Sequence, residues 1–223
     1  MSDPVRIRFE LDHPFLRLGL VEARELRCTD SSPELNALLR RAEERACHDA
    51  EAFPEQVRTA VRDLLRQGGY KPTGRGKPAS EFLLGAARKR ELPLVNNLVD
   101  INNLVSLDTA LPISIFDRDR LGDEITVRFG RAGESYCFNP SGQVMDLGGI
   151  VLVCRAATDE PVGNAVKDSM LAKVSPTTRA ALAVVYGSRH LPAGHLQKAT
   201  ERLGQLLGQF AEATRINWQV VPD

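Results

Sequence analysis

Residues 92–119, LPLVNNLVDINNLVSLDTALPISIFDRD, constrain the fold more than any other segment of the chain. Their apolar positions recur at a helical period, so that Leu98, Ile101 and Val105 share one face. Pro112 cannot continue a helix because its ring clashes with the preceding turn. The β-branched and aromatic run at residues 113–116 is typical of a strand. The segment therefore predicts a buried helix followed by a short strand.

Polar side chains lie at fixed places between these apolar ones: Asn96, Asn97, Asn102, Asn103 and Ser106. Residues three apart are neighbours on a helix, so Asp100, Asn103 and Ser106 fall together on a second face. A buried polar group without a hydrogen-bond partner costs stability. These side chains are therefore either satisfied within the protein, by helix capping and loop bracing, or they face a polar ligand.

The rest of the chain predicts a mixture of helices and strands. Ser32 followed by Pro33 marks the start of a helix that runs to about Asp49. Further helices are predicted for residues 55–67, for residues 81–90 with Ser80 as the cap, and for residues 196–210. Strands are predicted at residues 5–11, 16–20, 125–129, 150–154 and 182–186, the first two as candidate partners of each other.

These elements predict a single α+β domain over residues 1–223, with a mixed or antiparallel sheet flanked by helices. Within that domain we expect an N-terminal α/β extension over about residues 1–80. A core over about residues 83–187 and a C-terminal helix over about residues 192–214 follow it. A chain of 223 residues is long enough to bury one large core.

Charge is balanced over the whole chain but unevenly placed along it. Lys+Arg and Asp+Glu both number 29, which lacks the basic surplus of a dedicated duplex-binding protein. Residues 58–90 hold nine basic and two acidic side chains, a net of +7, whereas residues 91–124 have a net of −5. This division is compatible with phosphates lying on one side of a pocket, and equally with solvated helix faces.

Residues 70–78, YKPTGRGKP, form a loop rich in glycine, proline and cations. Glycine lets the backbone approach a ligand, and Arg75 and Lys77 supply positive charge, so the loop is a candidate phosphate contact. It lacks the Gly-Lys-Ser/Thr ending of a Walker A loop. The alternative is a plain connector.

Several function classes find no support in the sequence. The N-terminus has no apolar signal region and no long apolar run exists, so we expect a cytoplasmic protein without a membrane span. The four cysteines and four histidines show no metal-binding spacing, so we expect no metal, no cofactor and reduced thiols.

The order of residues in the central segment resembles the B3/4 domain of the phenylalanyl-tRNA synthetase beta subunit, of which free-standing relatives exist. The resemblance is carried by Leu-Pro-x-Val-Asn-Asn-x-Val-Asp-Ile-Asn-Asn at residues 92–103 and Ser-Leu at residues 106–107. It continues with Leu-Pro-Ile-Ser-Ile-Phe-Asp at residues 111–117, Leu-Gly at 121–122 and Ile-Thr-Val-Arg at 125–128. It covers about residues 83–187, and the catalytic core of the synthetase is not recognisable, so a complete tRNA ligase is not expected.

The resemblance implies a protein that receives the aminoacylated 3′ end of a tRNA. In the synthetase this domain hydrolyses tRNA carrying the wrong amino acid, so a free-standing relative implies deacylation of misacylated tRNA in trans. The resemblance places Asn102 and Ser114 at catalytic positions. It places Asn103, Ser106 and Asn97 at substrate-binding positions, to which the loop adds Arg75 and Lys77.

Three positions depart from the family's pattern. The family has a threonine where Asn102 stands, a histidine where Ser114 stands and a glutamate near Val184. A serine can hydrogen-bond to water or to an ester carbonyl, but it is a poor base. These departures favour an alternative function, a binding module for RNA, a nucleotide or an amino acid that performs no chemistry. A third alternative is an unrelated enzyme on the same scaffold.

Overall fold

The computed structural model describes residues 4–49 and 52–222. Over these residues six α-helices are found: α1 (Pro33–His48), α2 (Glu55–Arg66), α3 (Ala79–Arg88), α4 (Asn97–Thr109), α5 (Arg118–Leu121) and α6 (His195–Phe210). The strands are β1 (Arg6–Phe9), β2 (Leu16–Arg24), β3 (Ile113–Asp117), β4 (Glu124–Phe129), β5 (Ser135–Cys137), β6 (Val144–Asp146), β7 (Val151–Arg155), β8 (Pro161–Asn164), β9 (Ala180–Ser188) and β10 (Arg215–Val221).

The strands form two four-stranded sheets and one hairpin. The first sheet has the order β1-β4-β7-β8, in which β1 runs parallel to β4 and the other pairs are antiparallel. The second sheet has the order β10-β2-β9-β3 and is antiparallel throughout. Strands β5 and β6 form the hairpin.

The second sheet separates two hydrophobic cores. Successive side chains of a strand point to opposite faces, so Val21 and Val185 belong to the core shared with α1, α4 and α6. Leu20 and Val184 point the other way and pack against the first sheet. The molecule is therefore layered as helices, second sheet and first sheet, and β3 lies at an edge between helix α4 and the first sheet.

Polar side chains fix the start of helix α4, and a left-handed residue ends it. The Asn96 side chain caps it by accepting a hydrogen bond from the Val99 amide at 3.0 Å. The Asp100 carboxylate accepts from the Val95 amide at 3.0 Å and from the Ser31 hydroxyl at 2.6 Å, which ties the incoming chain to the first turn. At the other end Ala110 takes a left-handed conformation, φ 62°, two residues before Pro112.

The predicted α+β fold with mixed and antiparallel sheets flanked by helices is confirmed. Two local predictions are wrong. Strand β1 pairs with β4 in the first sheet, whereas β2 lies in the second sheet. Helix α3 begins at Ala79, directly after Pro78, and Ser80 is a buried helical residue with no capping role. Proline suits the start of a helix because it has no N–H, and N–H groups at a helix start have no partner within the helix.

Across the part of the chain that the structure describes, no helix combines the length and apolar character needed to cross a bilayer.

Candidate functional site

A pocket of about 300 Å³ opens where α4 and β3 meet helix α3. We call it the apolar pocket, and it is lined by Ala79, Phe82, Leu83, Ala86, Pro93, Asn102, Asn103, Ser106, Ile113, Val166 and Lys167. Aliphatic and aromatic side chains form most of its wall. The central segment therefore borders a hollow, and three of its polar residues lie on the wall of that hollow.

Asn102 carries a hydrogen-bond acceptor that no described group satisfies. The side chain is 8% exposed, and its Nδ2 donates to the Ile113 carbonyl at 3.0 Å. A carbonyl only accepts, so this bond fixes which end of the amide is the oxygen. Oδ1 is buried and has no hydrogen-bond partner among the described residues. Such a group costs about 1–3 kcal/mol, and a ligand with an N–H or O–H donor would recover it.

The neighbouring polar residues of α4 are less available to hydrogen-bond a ligand. The Ser106 hydroxyl donates to the Leu111 carbonyl at 2.7 Å, which closes the turn between α4 and β3. Asn103 lies on the pocket wall with part of its side chain exposed. Of the three, only Asn102 thus combines deep burial with an unpaired polar atom.

A second pocket, of about 720 Å³, adjoins the first. We call it the basic pocket, and it is lined by Tyr70, Arg75, Gly76, Phe82, Phe138, Gln143, Val144, Met145, Asp146 and Lys167. Phe82 and Lys167 line both pockets, so the two lie side by side, and we refer to them together as the cleft. The residue 70–78 loop, which the sequence predicts as a phosphate contact, thus lies beside the asparagine-bearing helix.

Three cations cluster around the basic pocket. Lys77 Nζ lies 4.6 Å from the centroid of the Phe82 ring, and Lys167 Nζ lies 3.9 Å from that of Phe138. Burial, and then the positive charge of Arg75, lowers the pKa of Lys167. Among the described ion pairs none involves these three side chains. A group of cations without carboxylate partners attracts an anion such as phosphate.

Exposed apolar side chains surround the cleft. Phe82 and Val144 line it and are 37% and 63% exposed, and Leu94 and Val95 follow its wall residue Pro93 in the chain. Aromatic and aliphatic surface next to unpaired cations suits a ligand with a flat apolar part and a phosphate, since bases stack on aromatic rings.

Ser114 lies behind the apolar pocket, in a buried polar cluster. Its hydroxyl lies 2.6 Å from Asp168 Oδ1, 3.1 Å from Tyr186 Oη and 3.4 Å from the Asn164 carbonyl. Desolvation by burial raises the pKa of Asp168 to about 7, and the hydrogen bond from Ser114 opposes that rise. Val184, opposite Ser114 in the sheet register, is fully buried.

The same cluster continues to the backbone of Lys167. Asn164 Oδ1 accepts from the amides of Val166 and Lys167 at 2.8 and 3.1 Å. Asn164 Nδ2 donates to Tyr136 Oη at 2.6 Å, and that hydroxyl donates to the Lys167 carbonyl. Both backbone polar groups of Lys167 are therefore held by buried side chains.

Asn97 braces the start of α4. Its Nδ2 donates to the carbonyls of Arg27 and Phe210, each at 2.9 Å, and its Oδ1 accepts from the Thr29 amide at 3.0 Å. With 1% exposure and its side-chain atoms engaged, it joins three chain segments. Its predicted contact with substrate stays a prediction that this arrangement does not favour.

The structure therefore gathers five of the seven predicted site residues at the cleft: Asn102, Asn103, Ser106, Arg75 and Lys77. Sequence reasoning missed Lys167, Asp168 and Phe82. In the sequence, nothing distinguishes Phe82 from the other apolar residues of a predicted helix. The other two lie almost fifty residues beyond the central segment in an irregular stretch, where no periodic pattern marks them.

Comparison with known proteins agrees with this geometry. The phenylalanine–tRNA ligase beta subunit of Bartonella henselae is 41% identical over 69 residues, 30% of this chain and 8% of that protein, so the chain matches a small part of that relative. The crystal structure of an N-terminal fragment of the phenylalanyl-tRNA synthetase beta subunit from Pyrococcus horikoshii superposes with a TM-score of 0.52. That match covers 100% of this chain and 57% of the fragment at 10% identity, and shows the fold alone.

The family model described as the B3/4 domain matches residues 73–212, which include the apolar pocket, the buried cluster behind it and the basic pocket except for Tyr70. Because this match spans more than half of the 223 residues, the chain belongs to the B3/4 domain family.

Proposed function

We propose that the cleft binds the aminoacylated 3′ end of a tRNA and that the protein hydrolyses misacylated tRNA in trans. The observation that carries this proposal is Asn102, whose buried Oδ1 has no partner among the described residues and whose side chain lines an apolar pocket next to a cluster of cations that form no described ion pair. Membership of the B3/4 family supports it, as do the relatives named as beta subunits of phenylalanyl-tRNA synthetase.

In this proposal the terminal nucleotide occupies the basic pocket. Arg75, Lys77 and Lys167 face its phosphates, and the Phe82 ring offers a stacking surface for its base. The pocket's volume, about 720 Å³, accommodates a nucleotide. The ribose then lies where the two pockets join, which directs the aminoacyl group into the apolar pocket.

The chemistry asked of the protein is modest. Water attacks the ester carbonyl, a new carbon–oxygen bond forms, the bond to the ribose oxygen breaks, and that oxygen takes up a proton. Asn102 Oδ1 accepts a hydrogen bond from the attacking water and orients it; an amide is not a base. The Ser114 hydroxyl is hydrogen-bonded to Asp168 and Tyr186 behind the pocket wall. In this proposal Ser114 therefore supports the wall and does not touch the substrate.

Deacylation of a panel of charged tRNAs tests this function. The wild-type protein is expected to release at least one amino acid faster than buffer alone, and Asn102→Leu, which removes the acceptor, is expected to slow release at least tenfold. Ser106→Ala is the matched control, because it loses a hydroxyl of the same pocket wall that is already bonded to Leu111. If no charged tRNA is hydrolysed above the buffer rate, the hydrolytic part of the proposal is refuted.

One observation favours a second candidate, a module that captures acylated RNA without cleaving it. The lining of the apolar pocket includes no carboxylate, imidazole or thiol, the groups that most often act as general bases. Binding of charged tRNA together with an unchanged rate of hydrolysis would identify this function, whereas release of the amino acid would exclude it.

A further inference from the structure

One cation of the cleft also reaches the apolar pocket. Lys167 lines both pockets, whereas Arg75 lines the basic pocket and Lys77 contacts the Phe82 ring. Of the described residues that line the apolar pocket, Lys167 alone carries a charge. The place of this lysine therefore differs from that of the other two cations, which lie on the phosphate side of the cleft.

The other polar groups of the apolar pocket offer a ligand no charged donor. Asn102 Nδ2 and the Ser106 hydroxyl already donate to backbone carbonyls. The atom of Asn102 that stays unpaired among the described residues is Oδ1, which only accepts. Asn103 supplies a neutral amide on the same wall. The Lys167 ammonium is therefore the charged hydrogen-bond donor that the lining of this pocket provides.

The backbone of Lys167 is fixed, although it lies in an irregular segment after β8. The buried Asn164 accepts from its amide at 3.1 Å, and the buried Tyr136 hydroxyl donates to its carbonyl. Its Nζ lies 3.9 Å from the centroid of the Phe138 ring, and no described ion pair involves it. A donor that is held in place before the reaction needs no reorganisation when charge develops beside it.

We propose that Lys167 is a catalytic residue of the deacylation, whose ammonium donates a hydrogen bond to the carbonyl oxygen of the scissile ester and stabilises the negative charge that develops there. This inference rests on the proposed function, which places the ribose, and with it the ester, where the two pockets meet. Asn102 Oδ1 then orients the attacking water, and Lys167 polarises the carbonyl. An ammonium has three donor hydrogens, so a contact with a phosphate and one with the ester are compatible.

The step needs no further reactant. The water oxygen bonds to the carbonyl carbon, and the electron pair of the C=O bond moves onto the oxygen that faces Lys167. When the carbonyl forms again, the bond to the ribose oxygen breaks, and the proton lost by water ends on that oxygen. Lys167 keeps its own proton. Because the contact is stronger in the charged transition state than in the neutral ester, it accelerates the chemical step more than it tightens binding.

The test is single-turnover deacylation, at saturating protein, of a charged tRNA that the wild type hydrolyses. Lys167→Met keeps most of the apolar stem and removes the ammonium. It is expected to lower the maximal rate roughly hundredfold, the size of effect seen when one donor to a developing oxyanion is lost. Lys167→Arg, which keeps a charged donor, is expected to recover about tenfold of that rate.

Two other cations serve for comparison. Arg75→Met removes a charge from the basic pocket, and its effect is expected on the protein concentration that half-saturates the reaction. A phosphate contact has this effect because it stabilises the bound ester and its transition state alike. Lys198→Met, on the exposed side of α6, is the control for loss of a positive charge and should change neither quantity. Circular dichroism of each variant checks its folding.

A binding measurement tests the same contact without hydrolysis. Two short CCA-ended RNAs are compared, one carrying the amino acid through an amide and one carrying a phosphonate whose negative oxygens mimic the oxyanion. The wild type is expected to bind the phosphonate at least about tenfold more tightly than the amide. Lys167→Met is expected to lose that preference, because the charge on the phosphonate no longer has a partner.

The outcomes separate this inference from the function on which it rests. If the wild type deacylates tRNA and Lys167→Met matches its maximal rate, the inference is overturned and the proposed function stands. A wild type that hydrolyses no charged tRNA contradicts both. If Lys167→Met does not fold, equal affinity of the wild type for the phosphonate and the amide still overturns the inference.

Discussion

At the scale of single residues, the site depends on which polar atoms have partners and which do not. Asn97 and Asn102 are both buried asparagines of α4, five residues apart. The side chain of the first is bonded to three backbone groups, whereas the second leaves Oδ1 unpaired. The sequence predicts that the asparagines of this segment either brace the backbone or contact a ligand. The structure favours bracing for Asn97 and a ligand contact for Asn102.

Asn97→Ala is expected to destabilise the protein by ~3 kcal/mol, because three backbone groups, two on residues 27–29 and one at Phe210, lose their partner. Urea unfolding of the variant and the wild type measures this difference. Where the variant remains folded, its preference among acylated RNAs should match that of the wild type. A change below ~0.5 kcal/mol would show that the bracing contacts contribute little.

The buried carboxyl of Asp168 predicts a stability that depends on pH. Its pKa is about 7 in the folded protein and about 3.9 in an unfolded chain, so the folded state binds the proton more tightly. Stability is then lost as the pH rises from about 4 to about 7, by up to ~4 kcal/mol. The Asp168→Asn variant is expected not to lose this stability, because an asparagine does not ionise over this pH range.

Thermal unfolding from pH 5 to pH 8 checks this expectation. The difference in melting temperature between Asp168→Asn and the wild type should grow in favour of the variant as the pH rises. Glu134 provides a contrast: its bond to Arg128 lowers its pKa, and its contribution to stability is lost only in acid. Parallel melting curves for the wild type and Asp168→Asn across the range would contradict the assignment of a raised pKa.

At the scale of elements, contacts with helix α3 place the loop from Tyr70 to Pro78 beside the cleft. Lys77 lies over Phe82, a residue of that helix, and the Tyr70 hydroxyl donates to the Gly76 carbonyl at 3.1 Å. From its composition alone the sequence offers this loop as a candidate phosphate contact, with a plain connector as the alternative. It does not indicate the lysine that completes the cluster, which arrives from the segment between β8 and β9.

Arg75→Ala and Lys77→Ala should each weaken RNA binding and reduce its dependence on salt. Each phosphate contact contributes about 0.7 to the slope of log affinity against log salt for a single strand. Titrations at several salt concentrations measure that slope. Lys198→Ala, on the exposed side of α6, is the control and should leave the slope unchanged. Equal slopes for all four proteins would place the RNA elsewhere.

Helix boundaries show where local sequence signals suffice. The Ser32 cap and Pro33 predict the start of α1 to the residue, and the side chain of Ser32 accepts from the Leu35 amide. Ser80 carries a similar signal, yet α3 begins at Ala79, two residues before the predicted start, directly after Pro78. Strand β10, with Trp218 40% exposed at the sheet edge, has no clear alternation to predict it.

At the scale of the whole molecule, the N-terminal helices and the family-matched region share one core. Leu35 and Leu39 of α1 pack in the same cluster as Leu98 and Ile101 of α4 and Leu203 of α6. The single-domain organisation predicted from the sequence therefore implies one cooperative unfolding transition. Calorimetry should show a single peak whose midpoint coincides with that of far-ultraviolet circular dichroism. Two resolved transitions would indicate separate units.

Sequence order predicts the class of fold but not the partners of its strands. Strand β1 pairs in parallel with β4, over a hundred residues away in the chain. Alternation of apolar residues indicates that β1 is a strand, but it holds no information on which edge the strand joins. The α4–β3 wall of the cleft and its residue 70–78 loop can be recognised in the local sequence, whereas the place of Lys167, after β8, depends on such long-range pairing.

The most direct test of the proposed site compares the affinities of an acylated and an unacylated RNA. The probe is a short CCA-ended RNA carrying an amino acid through an amide in place of the ester, so that hydrolysis cannot intervene. The wild type is expected to bind the acylated RNA at least tenfold more tightly, and Asn102→Leu should lose that preference while Ser106→Ala keeps it. Equal affinity of the wild type for the two RNAs would contradict the proposal that the pocket beside Asn102 receives the aminoacyl group.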